Sequence, residues 1–172
     1  MALSQAHDFT DGKRVVRWEN DSSDIASFYF VPHDKRPLPR FSPGQFLTIR
    51  VNAPGHDKPL VRCYSLSDCH DGERYRLSIK REPKGLASRI LHAELESGDI
   101  IEVGSPSGNF VLDEGTQPIV MLSGGVGITP MIAMLDAQMA ALRGGAPRRE
   151  VYFIHATQNS ATQAFTEELV AL

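Results

Sequence analysis

Apolar and polar residues alternate over much of the first two thirds of the chain. In residues 74–80 every second residue is apolar, and the residues between are Arg74, Arg76, Ser78 and Lys80. This period of two predicts a strand with one buried and one solvated face. Runs rich in aromatic and β-branched residues predict five further strands, at residues 15–18, 27–31, 45–51, 60–66 and 100–103. A helical period interrupts them at residues 86–95. Short strands divided by turn residues indicate a barrel or a sandwich.

The pattern changes near residue 116, where apolar positions become continuous. Residues 118–122 and 151–154 are apolar runs typical of strands that are buried on both faces. Between these runs Thr129 is a predicted N-cap and Pro130 a first helical residue, which predicts a helix that ends near residue 142. A second helix is predicted over residues 161–172. This β-α-β-α order begins a parallel doubly wound sheet, so we divide the chain into units 1–115 and 116–172.

Composition and charge exclude several classes of protein. The chain has 172 residues, of which 41% are hydrophobic and 23% charged, which is ordinary for a globular protein with one domain or two small ones. The net charge is −3 and no block of Lys or Arg stands out, so we expect neither nucleic acid nor a membrane as a partner. No signal peptide or membrane-spanning run is apparent, and a reduced, cytoplasmic location is the default.

The sequence predicts no metal centre. Two cysteines, Cys63 and Cys69, cannot supply the four ligands of a zinc ribbon or an iron–sulfur cluster. The histidines are scattered without the spacing of metal ligands, and we expect His155 to be structural or hydrogen-bonded. Cys63 has no obvious base beside it, so we interpret it as a small space-filling residue. The acidic pair Glu167 and Glu168 is expected on a solvated helix face.

The first candidate for chemistry is the run Arg62-Cys63-Tyr64-Ser65 on a predicted strand. Arg62 and Tyr64 point to the same side of a strand. An aromatic ring can stack on a planar cofactor while a nearby guanidinium takes a phosphate, and Ser65 can hydrogen-bond a ring nitrogen. The alternative is a plain strand with an exposed Arg and a half-buried Tyr.

Two further segments are typical of phosphate binding. Lys84-Gly85-Leu86-Ala87-Ser88 starts a helix, where backbone amides and a hydroxyl can bind an anion and Gly85 permits close approach. The alternative there is an ordinary helix entry. The Gly-rich loop of residues 123–127 lies between a strand and a helix and can receive a pyrophosphate. It departs from the G-x-G-x-x-G fingerprint, because Pro130 stands where the last Gly is expected.

In this order, the motifs resemble the ferredoxin–NADP reductase family of flavoproteins. They are R-x-Y-S from Arg62, G-x-x-S from Gly85, P-x-G-x-F from Pro106 and G-G-x-G-x-T-P from Gly124. The resemblance extends from about Trp18 to the end of the chain and is strongest to the reductase module of flavohaemoglobins. It implies a six-stranded antiparallel Greek-key β-barrel that binds FAD, followed by an incomplete parallel α/β nucleotide-binding domain. The family's nucleotide domain continues for several more strands, so we expect this one to be incomplete.

The resemblance implies a role for each matched residue. Arg62 is expected at the flavin pyrophosphate, Tyr64 against the flavin ring, Ser65 near the hydride-accepting nitrogen N5, and Thr129 near the nicotinamide, which makes Tyr64, Ser65 and Thr129 the catalytic candidates. The expected cofactor-binding residues are Arg62, Cys63, Tyr64, Ser65, Lys80, Gly85, Leu86, Ala87, Ser88, Gly124, Gly125, Gly127 and Thr129.

Three functions follow as hypotheses. The first is an FAD-dependent reductase that accepts hydride from NAD(P)H and passes electrons to a separate acceptor, either a protein or a small molecule. The second is a flavin-binding electron-relay module without nicotinamide turnover of its own, and the third is an interaction scaffold. FAD is favoured over FMN by the resemblance, whereas the choice between NADH and NADPH and the acceptor stay open.

Overall fold

The computed structural model describes residues 11–34, 36–69 and 71–171. Its first unit is a six-stranded antiparallel sheet with the strand order β4-β3-β6-β1-β2-β5. The strands are β1 (Asp11–Asn20), β2 (Ile25–Pro32), β3 (Phe46–Val51), β4 (Leu60–Ser65), β5 (Tyr75–Lys80) and β6 (Ile100–Val103). The antiparallel strands of the prediction are therefore confirmed, whereas closure into a Greek-key barrel is not found in the described part of the chain.

The two edge strands of this sheet, β4 and β5, approach each other. An isolated bridge joins Leu66 to Leu77, and the N–H of Ser67 donates to the carbonyl oxygen of Arg76 at 3.0 Å. These contacts lie just beyond the last residue of β4, and no continuous ladder joins β4 to β5 in the described part of the chain. The sheet curls until its edges meet at one point, and that leaves a seam between β4 and β5.

The core of the first unit lies inside this curled sheet. Helix α1 (Leu86–Glu94) turns Ala87 and Leu91 towards the core and leaves Leu86 exposed. The buried side chains with less than 2% exposure include Val15, Phe28, Phe30, Leu47, Ile49, Leu66, Tyr75, Leu77 and Ile79. Each such large apolar side chain contributes about 1.5–3 kcal/mol to folding.

The second unit is a β-α-β arrangement. Strands β7 (Ile119–Gly124) and β8 (Val151–Ala156) are parallel, and a 3-10 turn (Gly125–Gly127) and helix α2 (Ile128–Arg143) connect them. The parallel order agrees with the prediction. One face of this two-stranded sheet packs Ile119 and Met121 against α2. Residues 125–143 are long and apolar enough to cross a membrane by composition alone, but Ile128 and Ile132 of this stretch are fully buried in the core.

The other face of the β7–β8 sheet is exposed. Four paired apolar side chains are each at least half exposed: Val120, Leu122, Tyr152 and Ile154. The prediction that these strands are buried on both faces is therefore wrong for this face, because nothing in the described chain packs on it.

Two predictions for the helices are wrong. Helix α2 begins two residues early, at Ile128 with Gly127 as its N-cap, and the hydroxyl of Thr129 donates to the carbonyl oxygen of Val126 at 3.0 Å instead of capping the helix. The helix predicted over 161–172 divides into a 3-10 turn (Ser160–Thr162) and a short helix α3 (Thr166–Ala171), and residue 172 lies outside the described residues. A capping box of Asn159 with Thr162 closes the turn. Phe165 then takes a φ of 60°, which no helix accommodates.

Apolar packing and a backbone hydrogen bond join the two units. Ile25 of β2 is 2% exposed and belongs to the core of the second unit, with Met121, Ile132 and Phe165. The N–H of Ser23 donates to the carbonyl oxygen of Ala161 at 2.9 Å. On β5, Arg76 bonds Glu168 of the second unit and is 6% exposed. Ser78 bonds Ser27 and Ser67 of the first unit and is 3% exposed, so the prediction of a solvated face is wrong for these two residues.

Candidate cofactor site

A cleft of about 320 Å³ lies along the seam between β4 and β5. Its walls come from β4, the end of β5, the start of α1 and the 3-10 turn of the second unit. The lining residues are Arg62, Cys63, Tyr64, Lys80, Glu82, Gly85, Ala87, Ser88 and Val126. The structure therefore brings the R-x-Y-S and G-x-x-S motifs to one cleft, although they are far apart in the sequence.

Gly85 and Ser88 form a tight turn at the start of α1. The Ser88 hydroxyl accepts a hydrogen bond from the N–H of Glu82 at 3.1 Å and donates one to the carbonyl oxygen of Gly85 at 3.1 Å. A Cβ on Gly85 would lie 2.7 Å from Ser88 Oγ and 2.8 Å from Glu82 Cβ. Only glycine fits at this position. The first-turn N–H groups of a helix have no partner within it, so the turn is suited to bind an anion.

Arg62 and Tyr64 lie on the edge strand β4, in register with Ile49 and Leu47 of β3. The guanidinium of Arg62 is exposed and donates to the carbonyl oxygen of Val61 at 2.7 Å. Burial raises the pKa of Tyr64, and the charge of Arg62 opposes this. A neutral aromatic ring beside an accessible cation is suited to a ligand that has both a planar ring and an anionic group.

Lys80 links this cleft to a second one. Its ammonium lies 3.6 Å from Asp24 Oδ2 and 3.8 Å from Glu82 Oε1, so its charge is balanced on both sides. The second cleft has a volume of about 240 Å³ and lies between the two units. It is lined by Asp24, Ile25, Lys80, Gly125, Val126, Ala156, Thr157, Gln158 and Thr162. Lys80 and Val126 line both clefts, so the two clefts are adjacent.

The structure places the predicted site residues in three groups. The seam cleft contains Arg62, Cys63, Tyr64, Lys80, Gly85, Ala87 and Ser88, and the second cleft contains Gly125. Ser65 and Gly124 end their strands and, like Leu86 and Gly127, do not line either cleft. Thr129 is 5% exposed, and its hydroxyl is already bonded to Val126. The cofactor roles of all these residues stay predictions.

Sequence reasoning missed Glu82 and Val126 in the first cleft and Gln158 in the second. Glu82 is the second residue after β5, and its position after Lys80-Arg81 was the available signal. Val126 lies within the glycine loop, and an apolar side chain there carries no sequence signal for ligand binding. The expectation for His155 is confirmed, because its Nδ1 lies 2.9 Å from the hydroxyl of Ser123. Among the described residues, its buried Nε2 has no hydrogen-bond partner.

Comparison with protein families gives two adjacent matches. The model of the oxidoreductase FAD-binding domain matches residues 13–112, and that of the oxidoreductase NAD-binding domain matches residues 121–172. The chain is 44% identical over 154 residues to a flavohemoprotein of Pseudomonas putida and 42% identical over 156 residues to one of Bacillus subtilis. These alignments cover 90% of this chain, but only 37% and 38% of the two relatives.

Solved structures of FAD- and NAD-binding reductases superimpose on this chain. The flavohem-like FAD/NAD-binding domain of a nitric oxide dioxygenase from Vibrio cholerae superimposes with a TM-score of 0.87 at 32% identity, over 94% of this chain and 68% of that one. Phthalate dioxygenase reductase superimposes with a TM-score of 0.80 at 29% identity, over 92% of this chain and 47% of that one.

The seam cleft fits the FAD that the family implies. Gly85 permits a tight turn that a Cβ would force open, and Arg62 and Tyr64 present an accessible cation and a ring in the same cleft. A phosphate group can approach the first turn of α1 while a planar ring lies along β4. The FAD-binding model matches more than half of this chain. The chain therefore belongs to the FAD- and NAD-binding oxidoreductases of the ferredoxin–NADP reductase type, and it is homologous to the reductase module of flavohaemoglobins.

Proposed function

We propose that this chain is an FAD-dependent reductase module that accepts hydride from NAD(P)H and passes electrons to a separate acceptor. One observation carries the proposal: the cleft at Arg62, Tyr64, Gly85 and Ser88 adjoins the cleft at the glycine turn of the second unit, with which it shares Lys80 and Val126. Two ligands seated in these clefts would lie side by side. When bound, FAD would accept the hydride and release its electrons one or two at a time.

Each residue has a part in positioning the ligands under this proposal. Arg62 binds the pyrophosphate, together with the first-turn amides of Leu86, Ala87 and Ser88. The Ser88 hydroxyl holds the turn in shape through Glu82 and Gly85, and Tyr64 covers one side of the planar ring. Ser65 donates a hydrogen bond at the edge of that ring.

The second unit supplies the nicotinamide side. We propose that the turn at Gly124, Gly125 and Gly127 receives the dinucleotide at the N-terminus of α2, where the helix dipole favours its phosphates. Thr129 acts there through the backbone, because its hydroxyl bonds Val126. Val126 lines both clefts and excludes water between the two ligands.

The electron acceptor lies outside the described residues. The two curated relatives named above are flavohemoproteins, and phthalate dioxygenase reductase is described as a modular structure for electron transfer from pyridine nucleotides to a [2Fe-2S] centre. A haem or an iron–sulfur group on another chain or another segment fits the proposal. We also propose that the first unit is a Greek-key barrel, supported by the meeting of β4 and β5 at Leu66 and Leu77, and that the protein is cytoplasmic, supported by two free cysteines.

The proposal is tested by reconstitution with FAD and anaerobic mixing with NADH and with NADPH. Quenching of flavin fluorescence measures binding, and loss of the visible flavin absorbance measures hydride transfer. Binding followed by rapid bleaching with either nucleotide supports the reductase. Binding without bleaching supports an electron-relay module instead. A chain that does not bind FAD contradicts both functions.

A further inference from the structure

Arg76 is a buried arginine at the second position of β5. It is 6% exposed, and its side chain lies at the contact between the two units. A guanidinium that is removed from water destabilises the folded state unless each donor and the charge are matched. The partners of Arg76 therefore show what this side chain holds together.

The first partner is Ser67, two residues beyond the end of β4. Arg76 Nε donates to the carbonyl oxygen of Ser67 at 3.0 Å, and Nη2 donates to the same oxygen. The N–H of Ser67 donates in turn to the carbonyl oxygen of Arg76 at 3.0 Å. Both backbone groups of Ser67 are thus bound by one residue. Ser67 is fully buried and lies two positions after Ser65 of the R-x-Y-S motif.

The second partner is the nucleotide-binding unit. Arg76 Nη1 and Nη2 donate to the two carboxylate oxygens of Glu168 on α3, each at 2.9 Å. Paired donors facing paired acceptors give a strong and directional contact. The guanidinium carbon also lies 5.3 Å from the centre of the Phe165 ring, within the range of a cation–π interaction. The expectation that Glu168 is solvated is therefore wrong.

Further carboxylates face this contact. The charge of Asp68, beyond β4, interacts with Arg76, and Asp136 of α2 interacts with Glu168. Burial together with the charge of Glu168 raises the pKa of Asp136 to about 7. Burial opposes the charge of Arg76, but the hydrogen bonds and charge of Glu168 help to keep its pKa raised. The single guanidinium offsets several acids that come from both units.

We propose that Arg76 is a positioning residue, which sets the distance between the flavin-binding strand and the nucleotide-binding unit by holding Ser67 and Glu168 at once. A change in this contact shifts the end of β4, and with it Ser65, relative to the turn at Val126. The inference rests on the proposed function only in that Ser65 lies beside a bound flavin. The contact itself is a property of the chain without ligand.

The variants that test it are Arg76→Lys and Glu168→Gln. Lysine keeps the charge but lacks the paired donors, and glutamine keeps the shape of Glu168 but removes its charge. Glu167→Gln is the matched control, because Glu167 precedes Glu168 on the same helix and is exposed. Amide hydrogen exchange is measured in segments 64–69 and 160–171 of the full chain, with and without FAD. The FAD dissociation constant and the visible circular dichroism of bound FAD are measured beside it.

We expect both variants to speed exchange in the two segments together, by roughly tenfold, since the contact joins them. The FAD dissociation constant should change by less than about threefold, because neither Arg76 nor Glu168 lines the seam cleft, while the circular dichroism of the flavin changes. Glu167→Gln should leave all three readouts at the wild-type values.

The inference is overturned if Glu168→Gln leaves exchange in segment 64–69 unchanged, or if Glu167→Gln has the same effect. If Arg76→Lys does not fold, Glu168→Gln decides, because it retains the guanidinium. Failure of wild-type protein to bind FAD would contradict the proposed function alone. The exchange measurements on the chain without ligand would still judge the role of Arg76.

Discussion

The hydroxyl of Ser88 accepts a hydrogen bond from the backbone N–H of Glu82, six residues earlier, at 3.1 Å. This bond closes the loop between β5 and α1 and sets the direction in which the first turn of α1 faces the cleft. The hydroxyl also donates to the carbonyl oxygen of Gly85. The geometry of the proposed phosphate site therefore depends on a side chain that is itself 6% exposed.

Ser88→Ala should weaken FAD binding without unfolding the chain. The change removes both bonds of the hydroxyl and leaves the N–H of Glu82 unpaired in a partly buried loop, at a cost of about 1–3 kcal/mol. We expect a loss of FAD affinity of roughly tenfold or more, measured by quenching of flavin fluorescence. Thr116→Ala, an exposed hydroxyl residue before β7, is the control. Equal affinities in the two variants would count against the assigned site.

Gly85→Ala should be more damaging to binding than Ser88→Ala. The added methyl group would lie 2.7 Å from Ser88 Oγ and 2.8 Å from Glu82 Cβ, so the turn must open. We expect the FAD dissociation constant to rise by about a hundredfold, while the antiparallel sheet keeps its circular dichroism. Gly144→Ala at the end of α2, where φ is −78°, is the matched control. A Gly85→Ala protein with wild-type affinity would show that the ligand binds elsewhere.

The stability of the chain should fall as the pH rises towards neutral. Burial, then the charge of Glu168, raises the pKa of Asp136 from 3.8 to about 7. Between these values the folded chain retains a proton that the unfolded chain has lost, so raising the pH favours unfolding. After allowance for solvent screening, Asp136→Asn should be more stable than wild type by about 1–2 kcal/mol near pH 8.

Urea unfolding at about pH 5 and pH 8 measures this difference. The advantage of Asp136→Asn should be smaller near pH 5 than near pH 8, because the loss of wild-type stability begins at the ordinary pKa of 3.8 and accumulates up to about 7. Asp113→Asn changes an exposed carboxylate in the loop before β7 and should not alter the pH dependence. A wild-type free energy of unfolding that rises over this range, with no gain in Asp136→Asn, would contradict the prediction.

Neighbouring residues of β7 should differ sharply in their effect on stability. Met121 is 2% exposed and packs against α2, whereas Leu122 is 68% exposed on the opposite face. Met121→Ala should lower the free energy of unfolding by about 2–5 kcal/mol, and Leu122→Ala by less than about 0.5 kcal/mol. Denaturant titration of the two variants checks this. Similar losses in both would show that the exposed face is covered in solution.

The parts of the fold that depend on local pattern were predictable. The strands of the first unit follow from alternation and β-branched residues, and the start of α1 follows from Gly85 and Ser88, which interact within one turn. Tyr64 and Arg62 could be placed on one strand because they are two residues apart. Such features depend only on residues that are close in the sequence, so they can be predicted without knowledge of the tertiary structure.

The contact between the units was not predictable in this way. Arg76 and Glu168 are 92 positions apart. Each is a charged residue for which the local sequence alone predicts an exposed position, because the partner that buries it is distant in the chain. Phe165 interrupts a good helical period because its ring is buried, at 5% exposure, in a backbone conformation with a φ of 60°. Its environment comes from tertiary packing, which overrides the local preference.

The seam between β4 and β5 affects how readily the chain aggregates before it binds a ligand. Both strands are sheet edges, and such edges can pair with the edges of another molecule. A cofactor that occupies the cleft at this seam covers them and acts as a protective cap as well as a reactant. The empty chain should therefore aggregate on heating, and added FAD should suppress aggregation and raise the melting temperature in proportion to the logarithm of its concentration.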